Sequence, residues 1–404
     1  MTSRRIAIFT GNRSEYGLLY PVINAIDSHS ALKAQLIVSG THLDERFGRT
    51  QAEIERDGFS IDAEVKMTLE TDTLDETPRA IGRGILEVTD ALEKLAPDML
   101  LIYGDRFEAF AAAIASTQMC LPTAHIEGGD ITEGGALDDS VRHAITKLAH
   151  LHFTTNAQAT NRVLAMGEES WRVRTVGLPA LDSIQTGDFA SADDVQAVYG
   201  IDPTRPVVVF TQHSVASESD RAEVQIAPSL SALGALARDG VHIILTYPNS
   251  DPGGQRIITA LSAFTGERQN VQLHPSLGRS NYHGLLGLNQ QGVKVVCAGN
   301  SSSGLKETPA FGCPAVNIGN RQDNRLRADN IIDVDYDATA IEAALRKSLF
   351  DESFRRRCAE CTNPYGDGNA AELIATALAE AKLSPELLQK GFTLRGEARD
   401  GWFR

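Results

Sequence analysis

Residues 98–129 read DMLLIYGDRFEAFAAAIASTQMCLPTAHIEGG. An apolar run ends at Gly104-Asp105-Arg106, a helical stretch starts at Arg106, and a second apolar run ends at Glu127 beside a glycine pair. Two short strands separated by a helix are joined by a crossover and not by a hairpin, so they lie parallel. Near-continuous apolar runs with no alternation mark strands buried on both faces, with helices covering them.

The same punctuation recurs outward from this unit. RIAIFTGN, KAQLIVSG and HLHFTTN are further strand candidates, and ETPRAIGRGILEVTDALEKLAP is an amphipathic helix. A second series then begins with RPVVVFTQH, VHIILTYPN, NVQLHPSL, VKVVCAGN and PAVNIGN. Between the two series, GLPALDSIQTGDFASADD has turn and linker character around residues 178–194. The expected fold class is α/β, with two doubly wound domains over residues 1–180 and 190–370 and a helical segment over 371–404.

Composition agrees with a globular chain of this size. At 404 residues two domains are the default, and 42% hydrophobic content is enough for two cores. A net charge of −15 argues against a nucleic-acid partner or an anionic membrane surface, so a phosphate ligand has to be met by local positive groups. The apolar run in MTSRRIAIFTGN is too short for a signal peptide, and no stretch reaches the length of a membrane span, so a cytoplasmic location is expected. Cys358 and Cys361 form one CxxC with no second pair or histidine cluster, and a packing role is expected for them. HExxH, GxSxG and P-loop motifs are absent, and no metal or cofactor is called for.

In open parallel sheets, ligands bind beyond the carboxyl ends of the strands. That rule selects Arg13, His42, Asp105, Glu127, His213, Asn249 and Ser301 from position alone. In VVCAGNSSSGLKETPAFG, serine hydroxyls and free amides at a helix start suit a phosphate, which Arg321 in NIGNRQDNR could also reach. FTGNRSEYG lacks the GxGxxG spacing, which disfavours a hydride-transfer enzyme; Arg13 there suits an anion or a salt bridge with Glu15. Asp105, Glu127, Asp138 and Asp139 crowd the strand ends of the first half, Asp105 and one of the latter pair being candidate helix caps. Carboxylates gathered in a cleft raise one another's pKa, leaving one protonated and another ionised, as proton removal and return at one carbon require.

Several of these blocks together resemble the hydrolysing UDP-N-acetylglucosamine 2-epimerases, the bacterial enzymes for precursors of sialic and related nonulosonic acids and the epimerase half of the bifunctional animal enzyme. The stretches that carry the resemblance are TGNRSEYGLL, GDRFEA, HIEGG, DDSVRHAITKLAHLHF, TYPNSDPGG, GNSSSGLKE, FGCPAVNIGNRQ and NPYGDGNA, in order from residue 10 to about 370. The resemblance implies two Rossmann-like domains facing a central cleft, as in GT-B glycosyltransferases, with a UDP-sugar between them. It also implies loss of UDP across C1–C2 to give a glycal, then hydration with inversion at C2 to give N-acetylmannosamine. On the matching positions, Asp105, Glu127 and Asp138 would be the acid–base carboxylates, accompanied by His213. Arg13, Arg106, Asn249, Ser276, Ser301, Ser302, Glu307 and Arg321 would contact nucleotide and phosphates, with Glu307 accepting from ribose hydroxyls. The glycine pairs would let the backbone pass close to the sugar.

Asn12, Ser14 and Ser214 stand where the family usually has Thr, Ala and Pro, and Glu127 replaces the His of some members. The motifs leave the sugar's C4 and C6 open. A 2,4-diacetamido-2,4,6-trideoxy sugar on UDP or GDP, the legionaminic acid route, is the alternative substrate. A non-hydrolysing epimerase and a non-catalytic sugar-nucleotide binding protein are the alternative activities. Relatives generally form homodimers or homotetramers.

Overall fold

The computed structural model describes residues 3–47, 50–71, 73, 75–132, 137–249, 251–266 and 268–393. Two parallel sheets carry the fold. The first contains β1 (Arg4–Thr10), β2 (Leu32–Ser39), β3 (Ile61–Val65), β4 (Met99–Tyr103), β5 (Thr123–Ile126), β6 (Leu151–Thr154) and β7 (Val173–Thr175), in the order β3-β2-β1-β4-β5-β6-β7. The second contains β8 (Val207–Thr211), β9 (His242–Thr246), β10 (Val271–His274), β11 (Val295–Gly299), β12 (Ala315–Ile318) and β13 (Ile331–Val334), in the order β10-β9-β8-β11-β12-β13. The expected α/β class is the observed one.

Each sheet is covered on both faces. In the first, Ile6, Ile8, Leu36 and Leu101 pack toward helix Arg13–Ser28, while Ala7, Phe9, Ile37 and Leu100 face helices Glu76–Leu95 and Phe107–Gln118. Alternate residues of one strand thus serve two cores, which is why these strands read as unbroken apolar runs. The second sheet divides in the same way, with Val208 and Phe210 on one face and Val207 and Val209 on the other.

One segment differs from the sequence reading, and the expected C-terminal helical segment does contain a helix. The stretch expected to be a linker forms helix Ala180–Thr186, whose Leu181 and Ile184 are buried in the core of the second sheet. Helix Ala370–Glu380 returns to the first sheet, where Ile374 and Leu378 pack in its core beside helix Arg13–Ser28. The two segments meet where the Asp182 carboxylate accepts from the amides of Ala370 and Ala371 at 3.0 and 2.7 Å, satisfying donors at that helix start. Strands β3, β7 and β13, which the sequence reading did not single out, are rim strands, and β10 closes the second sheet's other rim.

No helix among the described residues is long and apolar enough to cross a membrane.

Candidate active site

Strand order reverses between β1 and β4 in the first sheet and between β8 and β11 in the second. Such reversal points open a crevice at the strand ends, because adjacent connections leave on opposite faces. The four loops at these points carry Arg13, Asp105 with Arg106, His213, and Ser301–Ser303. They border a cleft with about 1110 Å³ of open space, lined from the first sheet by Arg13, Thr41 and Arg106 and from the second by His213, Asn249, Arg279 and Ser301–Ser303.

At the end of β1, Asn12 caps helix Arg13–Ser28, its Oδ1 accepting from the Glu15 amide at 3.1 Å and from the Ser14 hydroxyl at 2.6 Å. Asn12 and Ser14 are two of the three residues noted above as departing from the family's usual pattern, and together they close this turn. Arg13 donates across the cleft to the Pro275 carbonyl at 3.2 Å. Glu15 turns inward to the Gly11 amide at 3.1 Å and pairs there instead of with Arg13. Burial and the neighbouring Glu108 raise its carboxyl to about 8.

His213 is held from three directions. Its backbone N–H donates to Asn300 Oδ1 at 2.6 Å, and Asn300 Nδ2 donates back to its carbonyl at 2.9 Å, joining the loops after β8 and β11. Its Nδ1 accepts from the Asn249 amide at 3.0 Å, which leaves the ring proton on Nε2. Burial, reinforced by Arg321, lowers its pKa to about 3. The ring is a neutral hydrogen-bond donor.

The serine loop begins at Gly299, whose φ of +120° suits only glycine and where a Cβ would overlap the Thr211 carbonyl. Ser303 exchanges a hydrogen bond with Tyr282 at 2.7 Å and with Ser301 at 3.1 Å. Glu307 bonds His283 at 2.6 Å through Oε2. Arg321 is half-buried and reaches the Asn300 carbonyl at 3.2 Å.

Two sequence-selected residues stand apart from the cleft wall. His42 is fully buried with both ring nitrogens engaged, at 3.1 Å to Thr10 and 2.8 Å to Thr50, and burial lowers its pKa to about 3. It braces the loop and leaves Thr41 and Thr50 at the surface of the cleft. The Ser276 hydroxyl accepts from the Gly278 amide at 3.1 Å in a local turn.

The candidate acid–base carboxylates are not among the residues lining this open space, and each has a different setting. Asp105 does not cap the helix that follows, whose N-cap is Arg106; its side chain is ion-paired with the buried Arg142. Asp139 accepts from the Thr132 amide at 2.8 Å and its hydroxyl at 3.1 Å. Asp138 has its pKa raised by burial and by Asp251, against the pull of Arg321, Arg106 and Arg325. Burial would also raise Asp251, but Arg106, which pairs with it at 2.6 Å, and Arg321 hold it below the usual range. The two neighbouring carboxyls are thus pushed in opposite directions, Asp138 toward holding its proton and Asp251 toward losing it.

Glu127 stands at the end of β5 with φ +66°, a left-handed conformation that costs a non-glycine residue ~1–3 kcal/mol. Its buried carboxylate accepts from the Tyr103 hydroxyl and is ion-paired with Lys306 of the second sheet. Lys306 also reaches Asp130 at 2.6 Å, and Arg325 approaches both carboxylates at 3.7–3.9 Å.

The glycines beside Glu127 serve packing: a Cβ on Gly128 would press on Thr146 and His125, and one on Gly129 would overlap the Ala159 carbonyl. Packing alone thus requires glycine at both positions; the second pair, Gly134 and Gly135, lies outside the described residues. Sequence reasoning missed Arg142, Asp251, Lys306 and Arg325. Asp251 follows a strand end and could have been found by the same rule; the other three are set by helix and loop geometry. Cys358 is buried, its thiol pushed up to about 12 by burial and the nearby Cys361.

Comparison with known proteins places this geometry in context. The family described as UDP-N-acetylglucosamine 2-epimerase matches residues 24–379. A hydrolysing UDP-N,N'-diacetylbacillosamine 2-epimerase of Legionella pneumophila is 34% identical over 387 residues, 96% of this chain and 98% of that protein. A UDP-N-acetylglucosamine 2-epimerase of Neisseria meningitidis serogroup B is 31% identical over 347 residues, 85% of this chain and 87% of that protein. A hydrolysing GDP/UDP-N,N'-diacetylbacillosamine 2-epimerase of Campylobacter jejuni is 33% identical over 334 residues, 82% of this chain and 85% of that protein. In overall shape, the chain matches the crystal structure of the Neisseria meningitidis UDP-GlcNAc 2-epimerase bound to UDP-GlcNAc, with a TM-score of 0.78 at 19% identity over 94% of this chain and 100% of that one.

Proposed function

From the premise that the chain belongs to the UDP-N-acetylglucosamine 2-epimerase family and is a nucleotide-sugar 2-epimerase, we propose that it hydrolyses the nucleotide sugar as it epimerises it. The substrate we put first is UDP-N,N'-diacetylbacillosamine, a 2,4-diacetamido-2,4,6-trideoxy sugar. The Legionella and Campylobacter relatives, both named as hydrolysing, support that choice. It reverses the order expected from sequence motifs, which put UDP-N-acetylglucosamine first. That sugar is the second reading, supported by the Neisseria relative.

The reaction needs a base to take the C2 proton as the C1–O bond breaks, releasing UDP and leaving a glycal. Water then adds, its hydroxyl to C1 and a proton to C2 on the opposite face, giving the free 2-epimer. Arg13, the His213 Nε2–H and the serine loop suit the departing pyrophosphate, since charge accumulates on it and neutral or cationic donors stabilise it. Asp105 and Glu127, each ion-paired, are suited to accept a proton. Asp138 is suited to give one. The observation that carries the reading is the pairing of Asp251 with the cleft residue Arg106 at 2.6 Å, beside which Asp138 is raised while Asp251 is lowered.

Incubating the purified protein with each sugar nucleotide in D₂O and following proton NMR tests the proposal. Free 2-epimer with deuterium at C2 and accumulating UDP is expected, faster from the diacetamido sugar. A reversible mixture of two UDP-sugars would instead mean a non-hydrolysing enzyme. Binding without turnover of either sugar would favour a sugar-nucleotide binding protein.

A further inference from the structure

Lys306 ends the short helix Ser303–Lys306, the one that starts at the serine loop of the cleft. Its ammonium leaves the second sheet altogether and is ion-paired with Glu127 and, at 2.6 Å, with Asp130 of the first. We propose that Lys306 is a positioning residue for the reaction: it keeps Glu127, with Asp130 beside it, charged and fixed in place. The inference rests on the role given to Glu127 above.

Three observations lead to it. Lys306 and both carboxylates are almost completely buried, so water does not stabilise their charges. Arg325, the other cation facing the two carboxylates, is at 3.9 Å from Glu127 and 3.7 Å from Asp130, and its Nε hydrogen bond goes to the Ile131 carbonyl at 3.1 Å. Lys306 is thus the close counter-ion of both. Without it, two buried carboxylates would share the single, more distant charge of Arg325, which favours proton uptake by one of them and ends its use as a base. Finally, Glu127 sits in a left-handed conformation its backbone does not favour, so its side-chain partners, Tyr103 and Lys306, set where the carboxylate points. Lys306 is itself fixed: Asn363 Nδ2 donates to its carbonyl at 2.8 Å, and its ammonium lies 5.3 Å from the centre of the Tyr365 ring.

A cation between two sheets could equally be a structural tie, so the test needs a readout that a tie would not move. Lys306→Met keeps the stem and removes the charge; Lys306→Arg keeps the charge. The kinetics of UDP release are measured beside the infrared band of protonated carboxyl groups at neutral pH. In Lys306→Met we expect kcat to fall by about 100-fold with KM changed by less than about threefold. The unmodified protein already holds a protonated carboxyl in Glu15, raised to about 8; a further band beyond it should appear, and it should vanish again when Glu127→Gln is added. Lys306→Arg should remove the band and recover most of kcat. Unchanged kcat with no new band in Lys306→Met overturns the proposal. So does loss of activity in both variants with no added band in either, which is the behaviour of a tie. If the unmodified protein releases UDP from neither sugar, the proposed reaction fails, and the band still decides whether Lys306 governs the charge of the pair.

Discussion

Asp138 and His213 show how burial assigns different roles to two titratable side chains in one cleft. Asp138 is raised by burial and by Asp251, so it holds its proton to higher pH than an exposed aspartate does. Asp138→Asn keeps its shape and removes that proton, and we expect kcat for UDP release to fall by ~10²–10⁴-fold. UDP affinity by calorimetry should change little; a large loss would mean that Asp138 binds the nucleotide. His213, lowered to about 3 by burial and Arg321, is neutral throughout the working range. It should contribute no inflection near pH 6.5 to the rate of UDP release measured from pH 5 to 9. His213→Gln, which can still donate a hydrogen bond, should retain more activity than His213→Phe, and equal losses would point to ring packing instead.

Among the elements, helix Leu137–Leu148 has the most to align, since it carries Asp138, Asp139 and Arg142. Its far end is held by Lys390, whose ammonium donates to the carbonyls of Thr146, Lys147 and Ala149 at 3.2, 2.9 and 2.6 Å and pairs with Glu168 at 2.9 Å. A cation at a helix C-terminus satisfies orphan carbonyls and complements the dipole. Lys390→Met should lower unfolding stability by about 2 kcal/mol, read from urea titration. The same cluster sets an acid limit. Burial alone would raise Glu168, but hydrogen bonds from His152, Lys147 and Lys390 outweigh it and bring the carboxyl to about 2 from 4.5. A folded value below the unfolded one stabilises above pH 4.5, and this contribution is lost as pH falls toward 2. Glu168→Gln should flatten the loss of stability across that window, and an unchanged slope would remove Glu168 from the account.

At the scale of the molecule, the two sheets are joined across the cleft mainly by polar contacts. Arg13 meets Pro275, the Arg279 amide donates to Glu53 at 2.8 Å, Arg106 pairs with Asp251, and Lys306 pairs with Glu127. A ligand that engages both sides adds to this set. UDP at 100 times its Kd should raise unfolding stability by about 2.7 kcal/mol, seen as a shift of the urea midpoint. No shift at any UDP concentration would count against the nucleotide site. Acid should act on the whole fold through its buried histidines. His42, His125 and His213 are lowered by burial to about 3, and His150 to about 4. The unfolded chain binds their protons from pH 6.5 downward and the folded chain does not, so stability falls as pH drops from 6.5 toward 4. Urea midpoints between pH 7.5 and 4.5 should fall with net proton uptake on unfolding; a flat profile would contradict the buried, neutral assignment.

The chain order of apolar runs was enough to determine the two parallel sheets and the loops that face the cleft. Strands such as β2 and β11 are buried on both faces, so KAQLIVSG and VKVVCAGN announce themselves. The rim strands β3, β7 and β13 are short or half-exposed, and IDAEV, VRT and IIDV carry too little apolar signal to read. Helix Ala180–Thr186 was hidden by the glycine, proline and aspartates around it, and its burial against the second core is what makes it a helix. Arg13, Asp105, Glu127, His213 and Ser301 could be selected from sequence because a strand end is a position along the chain. What each carboxyl does could not. The rise at Asp138 depends on burial and on Asp251, and the pairing of Glu127 depends on Lys306, 179 residues away along the chain. Charge states in a buried cleft are set by neighbours in space and by exclusion of water, and only the tertiary structure brings those neighbours together.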